Sequence, residues 1–253
     1  MVLSFSSFQL IVLIWIAVAV FIFFLLQRIK APYGRHASAS WGPLVNNRLG
    51  WLLMELPAFA VMGYFLIKNI ESIPPVVQVM MGLFCLHYFN RTVIFPFRLH
   101  TKGKKMPVLI VGSAIFFNLV STFLQGYYFM HFANYTGSWF TDIRFIGGVA
   151  LFFTGLFINW KADHILIHLR KPNETHYTIP GGWLFEWVSC PNMMGELIEW
   201  GGFALLCWNL PSLAFFIWSS ANLVPRAMAH HQWYKNKFPG YPGNRKSIVP
   251  FIV

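Results

Sequence analysis

From Phe8 to Gln27 the chain is an apolar run. A run of that length crosses the roughly 30 Å hydrocarbon core of a bilayer as a helix. Similar runs recur at 49–67, 76–97, 108–132, 143–160, 193–209 and 213–233, and the fifth can continue as helix to Leu169. Inside lipid every backbone N–H and C=O must find its partner within the segment, so runs of this kind fold as helices. The expectation is an all-α integral membrane protein with seven transmembrane helices, organised as one membrane domain over residues 1–253. No basic stretch precedes the first run, and the run is longer than a signal-peptide core, so it reads as a retained span.

Composition agrees with a lipid-embedded chain. Only 11% of residues are charged, where a soluble domain carries roughly 25%. The formal net charge is +11. In a soluble protein that would raise nucleic acid as a partner. Here the basic residues sit in loops between apolar runs, where they set orientation and meet anionic lipid heads or an anionic cofactor; no nucleic acid is expected. Lys68 and Arg144 fall on one side, offset by Glu71 and Asp142, and nearly all other loop Lys and Arg fall on the opposite side. The positive-inside rule then places the N-terminus outside and the C-terminus in the cytosol. Cys85, Cys190 and Cys207 are odd in number and widely spaced, which favours packing over a disulfide framework or a zinc site. His230-His231 lacks the carboxylate and spacing of a metal site, so none is expected.

Charge inside an apolar run costs several kcal/mol unless it is paired or neutralised. Glu55, in the second run, either pairs with Arg91 of the third and staples two helices, or stays a neutral acid that donates a hydrogen bond to a buried substrate oxygen. Tyr88 lies three residues before Arg91 and needs a partner for its hydroxyl, as a core tyrosine or as a second donor. Glu196 and Glu199 share a helix face, placed to pair with an arginine or to hold an amide or ribose hydroxyl. They belong to the stretch from Arg170 to Ala204, where a polar, turn-rich loop meets a helix start. Asn159, Asp163 and Arg170 follow along the fifth helix, with a solvated face as the plainer reading. Arg226, His230 and Tyr234 recur every fourth residue on one face of the last helix, as an interfacial anchor or an anion site. There is no G-x-G-x-x-G and no P-loop, and Gly181-Gly182 is too short to be a phosphate loop.

The runs MELPAFA (54–60), GLFCLHYFNRT (82–92), LQGYY (124–128), TDIRF (141–145), LRKPNE (169–174), YTIPGGWLFEWVS (177–189), GELIEW (195–200) and the tail YP-x-x-RK-x-x-x-PF (241–251) resemble the steroid 5α-reductase family. They cover most of the chain in order from about residue 30. The resemblance implies NADPH-dependent hydride transfer to carbon 5 of a 3-oxo-4-ene steroid such as testosterone or progesterone, with the cofactor bound from the cytosolic side. It implies that Glu55 and Tyr88 hydrogen-bond the 3-keto oxygen and that Trp200 lies beside the steroid. It implies a cofactor site lined by Tyr33, Arg35, Asn159, Asp163, Arg170, Tyr177, Asn192, Glu196, Arg226, His230 and Tyr234. Thr101 and Lys104, in a longer loop than the pattern has, take the places of an asparagine and an arginine near the phosphates. Met54 stands where the pattern has a glutamine, and Asn90 where it has a histidine. Residues 1–100 would then form the substrate side, and residues 101–253 would carry most of the NADPH site.

The steroid is expected to arrive through lipid and the chain to act as a monomer. The membrane is the endoplasmic reticulum in a eukaryote and the inner membrane in a bacterium. Rival readings are a related enoyl, polyprenol or sterol reductase, a membrane methyltransferase of the isoprenylcysteine or phospholipid type, and a seven-helix receptor or transporter. The Glu55 and Tyr88 runs argue against the methyltransferase, and the polar residues at the cytosolic helix ends argue against the last.

Overall fold

The computed structural model describes residues 3–29, 41–100, 103–169 and 177–252. Its order is α1 (Phe5–Arg28), β1 (Leu44–Asn46), α2 (Asn47–Asn69), α3 (Pro75–Phe89), α4 (Phe95–Arg98), β2 (Lys105–Pro107), α5 (Val108–His131), α6 (Ile143–His168), α7 (Pro191–Cys207) and α8 (Leu210–Lys237). Among the described residues, seven long helical stretches occupy the expected places, because α3 and α4 run on through a π turn at Asn90–Ile94. The helices α1, α2, α5 and α6 are long and apolar enough to cross a membrane. Outward-facing Leu10, Phe21 and Phe24 of α1 are exposed. Apolar surface of that extent belongs against lipid, and this is a membrane protein.

The helix ends follow local chemistry. Ser4 caps α1 through Ser7 N at 3.2 Å, and Asn46 caps α2 through Arg48 N at 2.9 Å, each satisfying an N–H that a helix start leaves unpaired. Pro75 and Pro191 open α3 and α7 at positions whose N–H has no helical partner anyway. Asp142 caps α6 and also binds the Arg144 side chain at 2.7 and 2.9 Å. Those hydrogen bonds hold the Asp142 carboxyl down at about 2. At the same end of the fold, Tyr135 Oη and Trp139 Nε1 donate to the last carbonyls of α7, Cys207 and Leu206.

The tightest contact in the fold is α6 against α7, which run antiparallel with their backbones touching. Glycine makes it possible. A Cβ on Gly148 would lie 2.5 Å from Leu206 N, on Gly195 2.5 Å from Asn159 N, and on Gly202 2.5 Å from Phe152 N. A Cβ on Gly155 would collide with the backbone N of Glu199. Each helix thus presents glycines two turns apart to the other, the close-approach device of lipid-embedded helix pairs. The main core gathers beside this seam, where Phe84, Trp200, Phe203 and Phe215 pack as one aromatic cluster.

Two features go beyond the sequence reading. Residues 44–46 and 105–107, between apolar runs, pair as an antiparallel two-stranded sheet; strands of three residues are too short to show a period. The tail docks back onto the segment before α7. Ser189 N and Cys190 N donate to the carbonyls of Lys246 and Ser247, and Arg245 donates to Pro180 O at 2.7 Å.

Candidate active site

Arg91 sits at the centre of the buried polar residues. The π turn that carries it precedes Pro96, whose missing N–H breaks the regular ladder, and π turns recur at functional sites. The guanidinium lies over the rings of Trp51 and Phe95, at 4.7 and 4.5 Å. Its Nη1 donates to Asp163 Oδ2 of α6 at 3.4 Å. Its Nη2 stands 3.8 Å from Glu55 Oε1 of α2. One cation therefore links the helices that carry the two expected halves of the site. Arg91→Met leaves the buried Asp163 without its cation, and should cost on the order of 3 kcal/mol of stability. The drop is readable as a lower melting temperature of the detergent-solubilised protein, and Arg91→Lys should restore part of it.

On the α2 side, Tyr88 Oη donates to Asn118 Oδ1 of α5 at 3.0 Å. Asn118 Nδ2 donates to the carbonyl of Met54, the chain neighbour of Glu55, at 2.7 Å. One amide thus ties the Tyr88 hydroxyl to the backbone beside Glu55. Trp200 is buried beside it, its ring 6.0 Å from that of Tyr88 and 4.6 Å from that of His87. His87 Nδ1 shares a hydrogen with Glu199 Oε1 at 2.8 Å, both groups fully enclosed. Glu199 Oε2 is buried with no hydrogen-bond partner among the described residues.

On the α6–α7 side the glycine seam aligns a strip of amides and carboxyls. Asn159 Nδ2 donates to Asn192 O at 3.0 Å, and Asn192 Nδ2 donates to Asp163 Oδ1 at 3.0 Å. Asn159 Oδ1 is buried and unbonded among the described residues. Glu196 stands close enough to act electrostatically on Glu55, His87, Arg91 and Asp163. Its helical neighbour Glu199 turns away to His87, so the two carboxyls divide between the strip and the aromatic core.

Further along, Tyr177 packs edge-on against Trp233 at 4.8 Å. Tyr234 is buried and stacks flat on Tyr241 at 5.3 Å. Arg226 and His230 share the Tyr234 face of α8 and are half-buried. Lys104 is exposed beside β2, and its carbonyl accepts from Asn47 N at 3.1 Å. Tyr33, Arg35, Thr101 and Arg170 lie outside the described residues. An apolar groove of about 460 Å³, lined by residues including Leu3, Phe8, Val61 and Phe123, carries no charged group and is separate from this cluster.

Sequence reasoning passed over Asn118 and left His87 without a role. Both stand as polar residues inside apolar runs, the same signal that singled out Glu55.

Residues 104–253 match the family model described as 3-oxo-5-alpha-steroid 4-dehydrogenase. The chain is 44% identical over 224 residues to 3-oxo-5-alpha-steroid 4-dehydrogenase 2 of Homo sapiens, covering 87% of each. It is equally similar to the protein of that name from Macaca fascicularis, at 44% over 224 residues and 87% of each. It is 38% identical over 236 residues to steroid 5-alpha-reductase DET2 of Arabidopsis thaliana, covering 90% of each. With a family model over more than half of the chain and relatives matched over most of their length, the chain belongs to the 3-oxo-5-alpha-steroid 4-dehydrogenase, or steroid 5α-reductase, family.

Proposed function

We propose that this chain reduces the 4,5 double bond of 3-oxo-4-ene steroids, such as testosterone and progesterone, to 5α-dihydrosteroids with NADPH. The observation that carries the reading is that Asn118 ties the Tyr88 hydroxyl to the backbone of Met54, beside Glu55, while Glu55 itself stands 3.8 Å from Arg91. Addition of hydride to carbon 5 drives negative charge onto the ketone oxygen. Glu55, as a neutral acid, and Tyr88 donate hydrogen bonds to that oxygen. Two preorganised donors in a dry site stabilise the enolate by about 3 kcal/mol each. Arg91 hydrogen-bonds Asp163 at 3.4 Å and stands farther, at 3.8 Å, from Glu55, so Asp163 is its nearer counter-ion. Trp200 forms an apolar wall for the flat steroid, and carbon 4 takes its proton from water.

NADPH, when bound, supplies the hydride. The residues fit such a group. Asn159 Oδ1 is a buried acceptor lacking a donor, and leaving one unpaired costs roughly 1–3 kcal/mol; a carboxamide or ribose hydroxyl would fill it. Asn159, Asp163, Asn192 and Glu196 would hold the nicotinamide end. Tyr33, Arg35, Thr101, Lys104, Arg170, Tyr177, Arg226, His230 and Tyr234 would hold the rest, with the arginines suited to phosphate.

The same reading has the helices crossing the membrane seven times, the N-terminus outside and the C-terminus cytosolic. Residues 1–100 form the substrate side and 101–253 most of the cofactor side. The steroid enters from lipid into a monomer, in the endoplasmic reticulum of a eukaryote or the inner membrane of a bacterium. The alternation of basic loops supports that orientation. Purified full-length protein with NADPH and progesterone or testosterone should yield the 5α-dihydro product, with deuterium from labelled NADPH at carbon 5. Absence of that product, or methyl transfer from S-adenosylmethionine, would overturn the assignment.

A further inference from the structure

We propose that Asn118 is a positioning residue for the ketone-binding pair: its carboxamide sets the distance and the hydrogen-bond direction of Tyr88 relative to Glu55. The inference rests on the steroid-reductase reading above and deepens it.

Asn118 lies within the apolar helix α5 and is buried. An amide placed there is costly unless its polar atoms are bonded. Its bonds go to the two segments that carry the pair. Nδ2 donates to the carbonyl of Met54, the chain neighbour of Glu55, at 2.7 Å. Oδ1 accepts from the Tyr88 hydroxyl at 3.0 Å. The Met54 contact fixes which way the amide faces, because the flipped amide would set two carbonyl oxygens against each other.

Two consequences follow from that orientation. The phenol has one hydrogen, and in the ligand-free protein it points at Asn118. A steroid ketone must therefore compete with Asn118 Oδ1 for it, and the O–H turns from one acceptor to the other as substrate arrives. Between turnovers Asn118 keeps the hydroxyl satisfied in a dry core. The second consequence is geometric. Tyr88 is held on α3 and Glu55 on α2, and Asn118 bridges the two, so its loss lets the donors drift from their common target. Misplacement on the ångström scale is enough to cost an order of magnitude or more in rate.

The test is a double-mutant cycle on the full-length protein in detergent. Asn118→Leu keeps the volume and should lower kcat for progesterone about tenfold, with the NADPH dissociation constant unchanged by protein-to-cofactor energy transfer. In a Tyr88→Phe background the same substitution should cost less than twofold, since residues acting through one another are not additive. Asn118→Asp, which keeps an acceptor for Tyr88, should recover part of the rate. Without cofactor, the red shift of the enone absorption on steroid binding reports hydrogen bonding at the ketone and should shrink in Asn118→Leu. Additive losses in the cycle, or an unchanged red shift and kcat in Asn118→Leu, would overturn the role of Asn118 while the wild type still reduces steroid. A wild type that reduces no 3-oxo-4-ene steroid would remove the reductase reading and this inference with it. Should Asn118→Leu not fold, Asn118→Thr is read through the same cycle.

Discussion

Glu55→Gln is expected to lower kcat by about 100-fold and to leave NADPH affinity unchanged. The size follows from the chemistry asked of the residue. Charge develops on the ketone oxygen only as hydride adds, so a donor there acts on the transition state more than on bound substrate. A carboxylic O–H is a far stronger donor than an amide N–H, and loss of one such donor costs on the order of 100-fold in rate. KM for the steroid should move much less than kcat. The fold should survive, because Arg91 keeps its hydrogen bond to Asp163 at 3.4 Å. Cofactor affinity should survive because Asn159, Asp163, Asn192 and Glu196 stand on α6 and α7, whereas Glu55 stands on α2. Steady-state kinetics with cofactor titration by fluorescence measures both. Wild-type kcat in this variant would take Glu55 out of the reaction.

The second large effect is structural. Gly155→Ala adds one methyl group, yet that carbon collides with the backbone N of Glu199, and backbone cannot turn aside as a side chain can. The helices must separate along the whole seam. The expected loss is about 3 kcal/mol, at the upper end for overpacking. It should also weaken NADPH binding, because the seam sets Asn159 and Asp163 opposite Asn192. Gly201→Ala is the control. Its Cβ would meet only the Phe216 ring, at 3.4 Å, and alanine favours helix by up to about 1 kcal/mol. Thermal unfolding in detergent reads both variants. Equal melting temperatures for Gly155→Ala and wild type would show that the helices do not need that contact.

The helices were legible in the chain. The runs at 49–67 and 108–132 became Asn47–Asn69 and Val108–His131, because length and apolar content alone decide where a backbone can sit in lipid. The extension of the fifth run to Leu169 was also legible; α6 ends at His168. Several candidate residues were visible for a related reason. A Glu, Tyr or Arg within an apolar run stands out, as Glu55, Tyr88 and Arg91 do, and Arg91 meets Glu55 and Asp163. The π turn at Asn90–Ile94 was not visible. A period over one turn cannot reveal one extra residue, and the turn separates Tyr88, facing Asn118, from Arg91, facing Asp163. The glycine seam was also hidden, because Gly148, Gly155, Gly195 and Gly202 read as ordinary small residues until two helices are laid together.

The sequence by itself determined that the chain is helical and lipid-embedded, which runs are helices, and which polar residues must be explained, because burying charge in an apolar span is costly wherever the span is placed. Only the tertiary structure decided which partner each of those residues takes: Arg91 with Asp163, Tyr88 with Asn118, His87 with Glu199. Pairings between helices distant in the chain depend on how close two backbones come and how each helix is rotated. Those quantities come from packing between helices, and no local pattern within one helix encodes them.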